Sequence, residues 1–394
     1  MATPMDSIRY LFRNNIRQYM MLIMLVVIMV FFQIATGGIL LVPMNVTNLV
    51  LQNAYVFILA IGMTLTILTG GNIDLSVGSL VAFIGALCGA LIVNMKMDVG
   101  WGIVLALATG LLVGVWQGYW IAYVRIPAFI VTLAGMLLFR GLTIFMLKGL
   151  TIGPFPDSFQ QISSGFVPDF LGLPSGAFNV TALVAGVIVA ALYVLSSLQR
   201  RVSRRRNGFD SSPLPLFIIQ IALIAAVIML IAVWLAAYKG LPIIFIIIGL
   251  LIFAYTFFTT RTVPGRYFYA MGGNEKAAKL SGINTNRILF LAYVNMGVLS
   301  AVAGVAFTSR LNAASPQAGL NFELDAIAAC FIGGASAYGG VGTIVGAIIG
   351  ALVMGVLNNG MSILGVGSDV QQIVKGLVLL FAVAFDVVSK KKAR

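Results

Sequence analysis

Asp74, Glu323, Asp325 and Asn358 stand where an otherwise apolar sequence is interrupted. Asp74 follows Gly70, Gly71 and Asn72 and is followed two residues on by Ser76. Paired glycines break a helix, and a half-helix starting at Asp74 or Ser76 would aim its free backbone N–H groups at the break. Such a break belongs either to a polar path through the protein, on which Asn72, Asp74 and Ser76 would lie, or to an ordinary N-cap at a tight turn. Glu323 and Asp325 precede a glycine-rich stretch, Gly333, Gly334, Gly339, Gly340 and Gly342, and Asn358 is paired with Asn359. These groups can bind and hydrogen-bond, but the partners that most enzymes need are missing. The sequence has no histidine, which removes imidazole acid–base work and His-based metal sites. No Gly-Lys dipeptide occurs, so there is no Walker A phosphate loop. Cys88 and Cys330 both lie in apolar runs and read as small buried hydrophobes. No metal, no cofactor and no enzymatic activity are expected on this chain.

The elements that must position these residues follow from composition. Of 394 residues, 60% are hydrophobic and 9% are charged, and the mean hydropathy is +1.06. A soluble domain carries about 25% charged residues because its surface faces water. That contrast excludes a soluble globular enzyme and leaves an all-α polytopic membrane protein. Apolar runs lie near 20–41, 53–70, 76–94, 100–123, 127–147, 178–198, 214–237, 241–260, 288–308, 325–338, 341–362 and 371–388. They predict about 10–12 transmembrane helices in a single transmembrane domain over 1–394. The run at 325–338 is short enough to be a steep span or a re-entrant segment. The run from Met20 is too long for a signal-peptide core and reads as an uncleaved first span.

Basic residues sort the loops. Alternate loops hold Arg9, Arg13 and Arg17; Arg125; five arginines at 200–206; Arg261, Arg266, Lys276, Lys279 and Arg287; and four basic residues at 390–394. The opposite loops hold only Lys96, Lys148, Lys239 and Arg310. Cytoplasmic loops are the basic ones, so both termini are expected inside. An even number of crossings follows, which disfavours a lone re-entrant segment at 325–338. The net charge of +13 fits basic loops facing anionic lipid headgroups, and nucleic acid is not an expected partner. Arg140 and Lys375 fall inside apolar runs without a partner evident in sequence. Each is expected to pair or to snorkel. Trp116, Gln117, Tyr119 and Trp120 either line a path or form an interfacial aromatic belt. Gly342, Gly346 and Gly350, four residues apart, suit close helix packing. The outer segment 149–177 reads as an ordered cap or short interfacial helices.

The inner loop 261–287 has a structure of its own. Pro264-Gly265 reads as a turn and Gly272-Gly273 as a flexible break. Asn274 is a good N-cap, Glu275 and Lys279 complement the helix dipole, and Gly282 suits a left-handed C′ position. A helix of about two turns results, with Ala277, Ala278 and Leu280 on it. Two alanines keep its surface low, which lets a partner's backbone approach. Such a helix is marginal alone and must be held by packing. It is either an interfacial spacer between two spans or a rigid lever for a cytoplasmic partner.

The string NEKAAKLSGI at 274–283, with its Glu, paired Ala and Gly, resembles the coupling-loop motif of ABC importer permeases. GGNIDLSVGSL at 70–80, ELDAIAACFIGGASAYGG at 323–340 and RIPAFIVTLAGMLLFRG at 125–141 are similar to the permeases of the ribose, xylose, galactose and arabinose group. The likeness runs from about residue 50 to 390. An extra helical pair at about 180–240 looks like the longer xylose-type or multiple-monosaccharide subgroup. The resemblance implies a type II ABC importer-like fold and import of a monosaccharide across a bacterial plasma membrane. It implies a second permease copy, ATP-binding subunits that hold ATP and Mg, and an external sugar-binding protein. It also implies that Asn274, Glu275, Ala277, Ala278, Leu280 and Gly282 meet the ATP-binding subunit. A sugar hydroxyl is well matched by carboxylates and amides, which fits Asn72, Asp74, Ser76, Glu323, Asp325 and Asn358 as path residues. An ion-driven secondary transporter is the main alternative; it would need Asp74 as its mid-membrane coupling carboxylate and would leave the loop at 261–287 idle. A channel or membrane scaffold is a further one.

Overall fold

The structure, a computed structural model, describes residues 21–172, 178–208 and 213–391. Arg9, Arg13, Arg17, Lys392 and Arg394 lie outside the described residues. In chain order the helices are α1 (Met21–Ala35), α2 (Pro43–Leu68), α3 (Val77–Cys88), α4 (Val99–Ala122), α5 (Ala128–Leu147), α6 (Asp157–Ser164), α7 (Val180–Arg206) and α8 (Leu214–Ala236). Then come α9 (Ile243–Arg261), α10 (Val263–Gly273), α11 (Glu275–Leu280), α12 (Thr285–Leu311), α13 (Phe322–Ile332), α14 (Ile344–Ile363) and α15 (Ser368–Lys391). α3 continues as a π-helical segment through Gly89–Asn94.

Among the described residues, 10 helices are long and apolar enough to cross a membrane. Two of the twelve apolar runs are not among them. In the first, helix α1 ends at Ala35, and the chain turns at Gly37 and Gly38, both with positive φ. In the other, α13 has only 11 residues, about 16 Å of helix against a hydrocarbon core of about 30 Å.

Two compact units divide the chain. The smaller, which takes in 41–48 and 166–243, is built on the α7–α8 hairpin. Asn179 caps α7 by accepting from the Ala182 N–H at 2.8 Å, and Gly186 lies against Ala232 so closely that a Cβ would sit 2.2 Å from the Ala232 Cβ. In the segment before α7, Asp169 accepts from the Thr181 hydroxyl and from the Thr181 and Val180 N–H groups. Those bonds, the Thr181 hydroxyl foremost, hold its carboxyl below the usual carboxylate range.

The larger unit holds the remaining span-length helices around α2, whose most apolar stretch is 94% buried. Apolar side chains cannot drive helices together in lipid, so close backbone approach does the work. α4 crosses α12 at Gly110, Gly114 and Gly118, where added Cβ atoms would meet Gly297, Tyr293, Val294 and Phe290. α14 meets α13 the same way: a Cβ on Gly350 would lie 1.9 Å from Ala329 O, and one on Gly346 2.2 Å from Gly333 O. The glycines at four-residue spacing are therefore packing positions, apart from Gly342, which precedes the helix. Outside the membrane spans, α6 is tied down by the Ser309 hydroxyl, which donates to Phe159 O at 2.7 Å and accepts from the Ser163 N–H at 3.1 Å.

Helix contact at glycine sets a clear expectation. Gly297→Leu would drive a side chain into Gly110 O, 2.3 Å from the new Cβ, whereas Gly249→Leu meets nothing within 4 Å. Thermal unfolding in detergent should show Gly297→Leu destabilised by about 1–3 kcal/mol or more, with Gly249→Leu close to wild type.

Candidate translocation and coupling site

Three non-helical segments converge in the larger unit: 69–76 after α2, 312–321 before α13, and 333–343 between α13 and α14. Irregular backbone at membrane depth is tolerated only when protein covers it and its polar groups find partners. Each segment meets that demand in a different way.

In the first, Gly70 and Gly71 take φ of +115° and +77°. Asn72 Nδ2 donates to Thr69 O at 3.1 Å. Asp74 is buried, and its Oδ1 accepts from the Ser76 N–H at 2.8 Å and the Ser76 hydroxyl at 2.6 Å. Ser76 is the N-cap residue of α3. Gln117 Nε2 from α4 donates to Ser76 Oγ at 2.7 Å, so a chain of hydrogen bonds ties α4 to the start of α3. Gln117 is 1% exposed, while Trp116, Tyr119 and Trp120 beside it are exposed.

The second segment runs along α3 in the opposite sense. Ala314 pairs with Ile152 and lies against Gly89; Gly319 lies against Gly78. The segment is built of turns, with the Ala318 N–H donating to Ser315 O at 3.1 Å and with Asn312, Gly319 and Asn321 at positive φ. Arg140 from α5 satisfies the exposed carbonyls, donating from Nη1 to Pro316 O at 2.9 Å and Ala318 O at 2.7 Å. The intramembrane arginine therefore has a backbone partner that sequence pairing rules do not reveal. Beyond it, Glu323 on α13 turns its Oε2 toward Gly78, in the first turn of α3, where a helix N-terminus favours negative charge.

In the third segment the Gly340 N–H donates to Leu68 O at 3.1 Å, the last carbonyl of α2. A Cβ on Gly71 would lie 2.0 Å from Ala337 O, and one on Gly339 2.5 Å from Gly70. The two glycine loops touch backbone to backbone. α10 joins them: a Cβ on Gly272 would lie 1.8 Å from Leu68 O and 2.3 Å from Gly340 N. Tyr269 on α10 donates to Gly342 O at 3.0 Å, and burial pushes its phenol above its ordinary value, which keeps it a donor.

Asp325 sits apart from Asp74, on α13, 1% exposed. Its Oδ2 accepts from the Tyr55 hydroxyl at 2.8 Å, and Lys375 from α15 lies 3.0 Å from Oδ1. Lys375 thus pairs rather than snorkels. Asn358 belongs elsewhere: its Nδ2 donates to Asn53 Oδ1 at 3.2 Å, and Asn359 Nδ2 donates to Gln52 Oε1 at 3.3 Å. Asn53 and Leu68 are fifteen residues apart on α2, about 22 Å. The structure therefore brings Asp74, Ser76 and Glu323 around the start of α3, with Asn72 in the loop before it. Asp325, through Tyr55, and Asn358, through Asn53, both meet α2 at the stretch remote from Leu68. Tyr55, Tyr269 and Gln52 carried no signal in sequence; the Lys375–Asp325 pair had one, since a buried carboxylate in lipid needs a cation.

The loop 261–287 differs from its expectation in three respects. Pro264-Gly265 is not a turn but the first turn of α10, capped by the Thr262 hydroxyl, which accepts from the Gly265 N–H at 3.0 Å. Proline is tolerated there because a first-turn N–H has no helical partner to lose. The break falls at Asn274, whose Oδ1 accepts from the Ala277 N–H at 3.0 Å to cap α11. Gly282 takes φ of +83°. α11 has only 6 residues, and it is held by Arg125, which lies 3.0 Å from Glu275 Oε1 and also bonds Asn286. The two alanines do not share a face. Ala278 is 5% exposed and packs inward, while Ala277 is exposed and Leu280 is 90% exposed.

Ten span-length helices among the described residues, with polar residues at the helix breaks, define a multi-pass membrane protein. The chain belongs to the family described as "Branched-chain amino acid transport system / permease component", whose match covers residues 45–383. It is 41% identical over 384 residues to the xylose transport system permease protein XylH of Haemophilus influenzae, covering 96% of this chain and 98% of that one. The XylH of Escherichia coli K12 is 40% identical over 96% of this chain and 94% of its own. The ribose import permease protein RbsC of the same strain is 36% identical over 87% of this chain and 85% of its own. No solved structure matches the chain.

The Asp74 turn supplies a test. Asp74→Ala leaves the buried Ser76 N–H without its acceptor, while Asp74→Asn keeps an acceptor oxygen. Melting temperatures in detergent should fall clearly for Asp74→Ala, by about 1–3 kcal/mol of stability, and by much less for Asp74→Asn.

Proposed function

We propose that the chain is the membrane-spanning permease subunit of an ATP-driven ABC importer that carries a monosaccharide, xylose or a related pentose or hexose, into the cytoplasm of a bacterium. The observation that carries this reading is the short helix α11, capped at Asn274, pinned by Arg125 and offering Leu280 outward. It follows α10, which packs directly on the glycine loops beside Asp74. The names of the xylose and ribose relatives support the sugar class.

On this reading both termini and the loop 261–287 face the cytoplasm, in keeping with the distribution of basic residues. Two copies of the chain enclose the path, ATP-binding subunits lie below, and a sugar-binding protein delivers substrate from outside. ATP and Mg are held by the ATP-binding subunits. Closure of those subunits pushes α11, and because α11 and α10 are adjacent, the push reaches Gly272 and Gly273. Gly340 and Leu68 O lie against them, so the loops at 69–76 and 333–343 are displaced together. Asn72, Asp74 and Ser76 lie on the first of those loops, Glu323 beside the start of α3 and Asp325 at the far end of α13, and they supply polar groups to a passing sugar. Asn358 would act farther along α14. Shifting the loops changes which side of the membrane the path opens to, and ATP biases that equilibrium.

The docking face is Leu280 with Ala277; Ala278 supports it from within. In proteoliposomes containing the whole importer, Leu280→Asp should lower ATP-driven xylose uptake by about tenfold or more, equivalent to about 1.4 kcal/mol of docking free energy. The permease should remain folded. Ala278→Asp, by contrast, should lower folded yield, because it buries a charge. Unchanged uptake with Leu280→Asp would sink the coupling role of α11.

A further inference from the structure

α15 touches the broken element twice. Near one end, Lys375 Nζ lies 3.0 Å from Asp325 Oδ1 and 3.1 Å from Oδ2. At the other, Asp386 Oδ2 accepts from the Ala337 N–H at 3.3 Å. Lys375 and Asp386 are eleven positions apart on α15, about 16 Å. Asp325 lies in the first turn of the 11-residue α13 and Ala337 lies just past its end, so the two spacings match. The helices run in the same direction, and each end of α13 is tied to α15 by a charged side chain.

These ties do more than attach a peripheral helix. The most apolar stretch of α15 is only 6% buried, so apolar packing does not fix its position. Asp325 is 1% exposed, and a carboxylate buried in hydrocarbon without a cation is strongly disfavoured. Ala337 belongs to the loop whose Gly340 abuts Gly272 and Gly273 and whose Gly342 carbonyl is held by Tyr269. A displacement of α10 thus reaches that loop, and the loop cannot move without either carrying α15 along or breaking the bond to Asp386.

We propose that Lys375 and Asp386 are positioning residues that make α15 and α13 move as one body, so that displacement of the coupling loop shifts the whole broken element. This rests on the importer reading above. A purely structural pair would behave differently: removing both of its charges together is close to neutral, because neither is left stranded.

The test reconstitutes the complete importer in proteoliposomes and measures xylose uptake and ATP hydrolysis together. Lys375→Met alone strands Asp325 and is expected to reduce folded yield. The double variant Lys375→Met/Asp325→Asn removes both charges and should recover folded yield. Asp386 lies outside the sugar path, so its variants carry the functional readout. In Asp386→Leu, ATP hydrolysis should stay within about twofold of wild type, while uptake per ATP falls about tenfold or more. Asp386→Asn, which keeps an acceptor oxygen, should restore the ratio. Wild-type uptake per ATP in Asp386→Leu overturns the proposal. If Asp386→Leu does not fold, Asp386→Ala takes its place, and wild-type uptake per ATP there overturns it. The importer reading fails separately, when uptake by the wild-type complex does not depend on ATP.

Discussion

Hydrocarbon offers backbone N–H and C=O groups no partner, and the larger unit is arranged around that constraint. Regular helices satisfy themselves, so the constraint bites only where helices break. Breaks occur at 69–76, 312–321 and 333–343, and each is buried against another break or a polar side chain. Arg140 answers two carbonyls of the turn-rich segment at 312–321, Leu68 O takes the Gly340 N–H, and Asp386 takes the Ala337 N–H. Intramembrane charge here serves backbone and neighbouring side chains before it serves any substrate.

Glycine makes that solution sterically possible. Gly71, Gly272, Gly319 and Gly350 stand where a Cβ would come within about 2 Å of a carbonyl oxygen, well inside van der Waals contact. No other residue fits without moving a backbone. Such contacts are stiff, because no side chain lies between the two chains to absorb a shift. Stiffness suits elements that must transmit displacement, as α10 must if it is to reach the loops beside Asp74. The hydrogen-bond chain from Asp74 through Ser76 to Gln117 extends the rigid region into α4.

The short helix α11 has the opposite character. It is mostly exposed and is held by an N-cap and the inward-packed Ala278. Exposed ion pairs contribute little to stability, so Arg125–Glu275 sets the orientation of α11. A firm element with an outward leucine, joined to glycine-packed loops, is what a lever between two subunits requires.

Much of this was legible in the residues themselves. Composition alone determined a polytopic helical membrane protein, because 9% charge cannot cover a water-facing surface. Local rules located the cap at Asn274, the helix break at Gly70-Gly71 and the left-handed Gly282, since each depends on a few neighbouring residues. They erred at Pro264-Gly265, where the Thr262 cap turned an apparent loop into the start of a helix, and at 325–338 they left a span and a re-entrant segment both open, because hydropathy does not register where a helix ends. Tertiary structure alone decided which polar groups meet. That Lys375 faces Asp325, that Arg140 reaches Pro316 and Ala318, that Asn358 leaves the cluster and that Ala278 turns inward are outcomes of helix packing across long sequence separations. Hydropathy reports how apolar a helix is but not which neighbour it faces, and in lipid that choice rests on backbone contacts at glycines scattered along the chain.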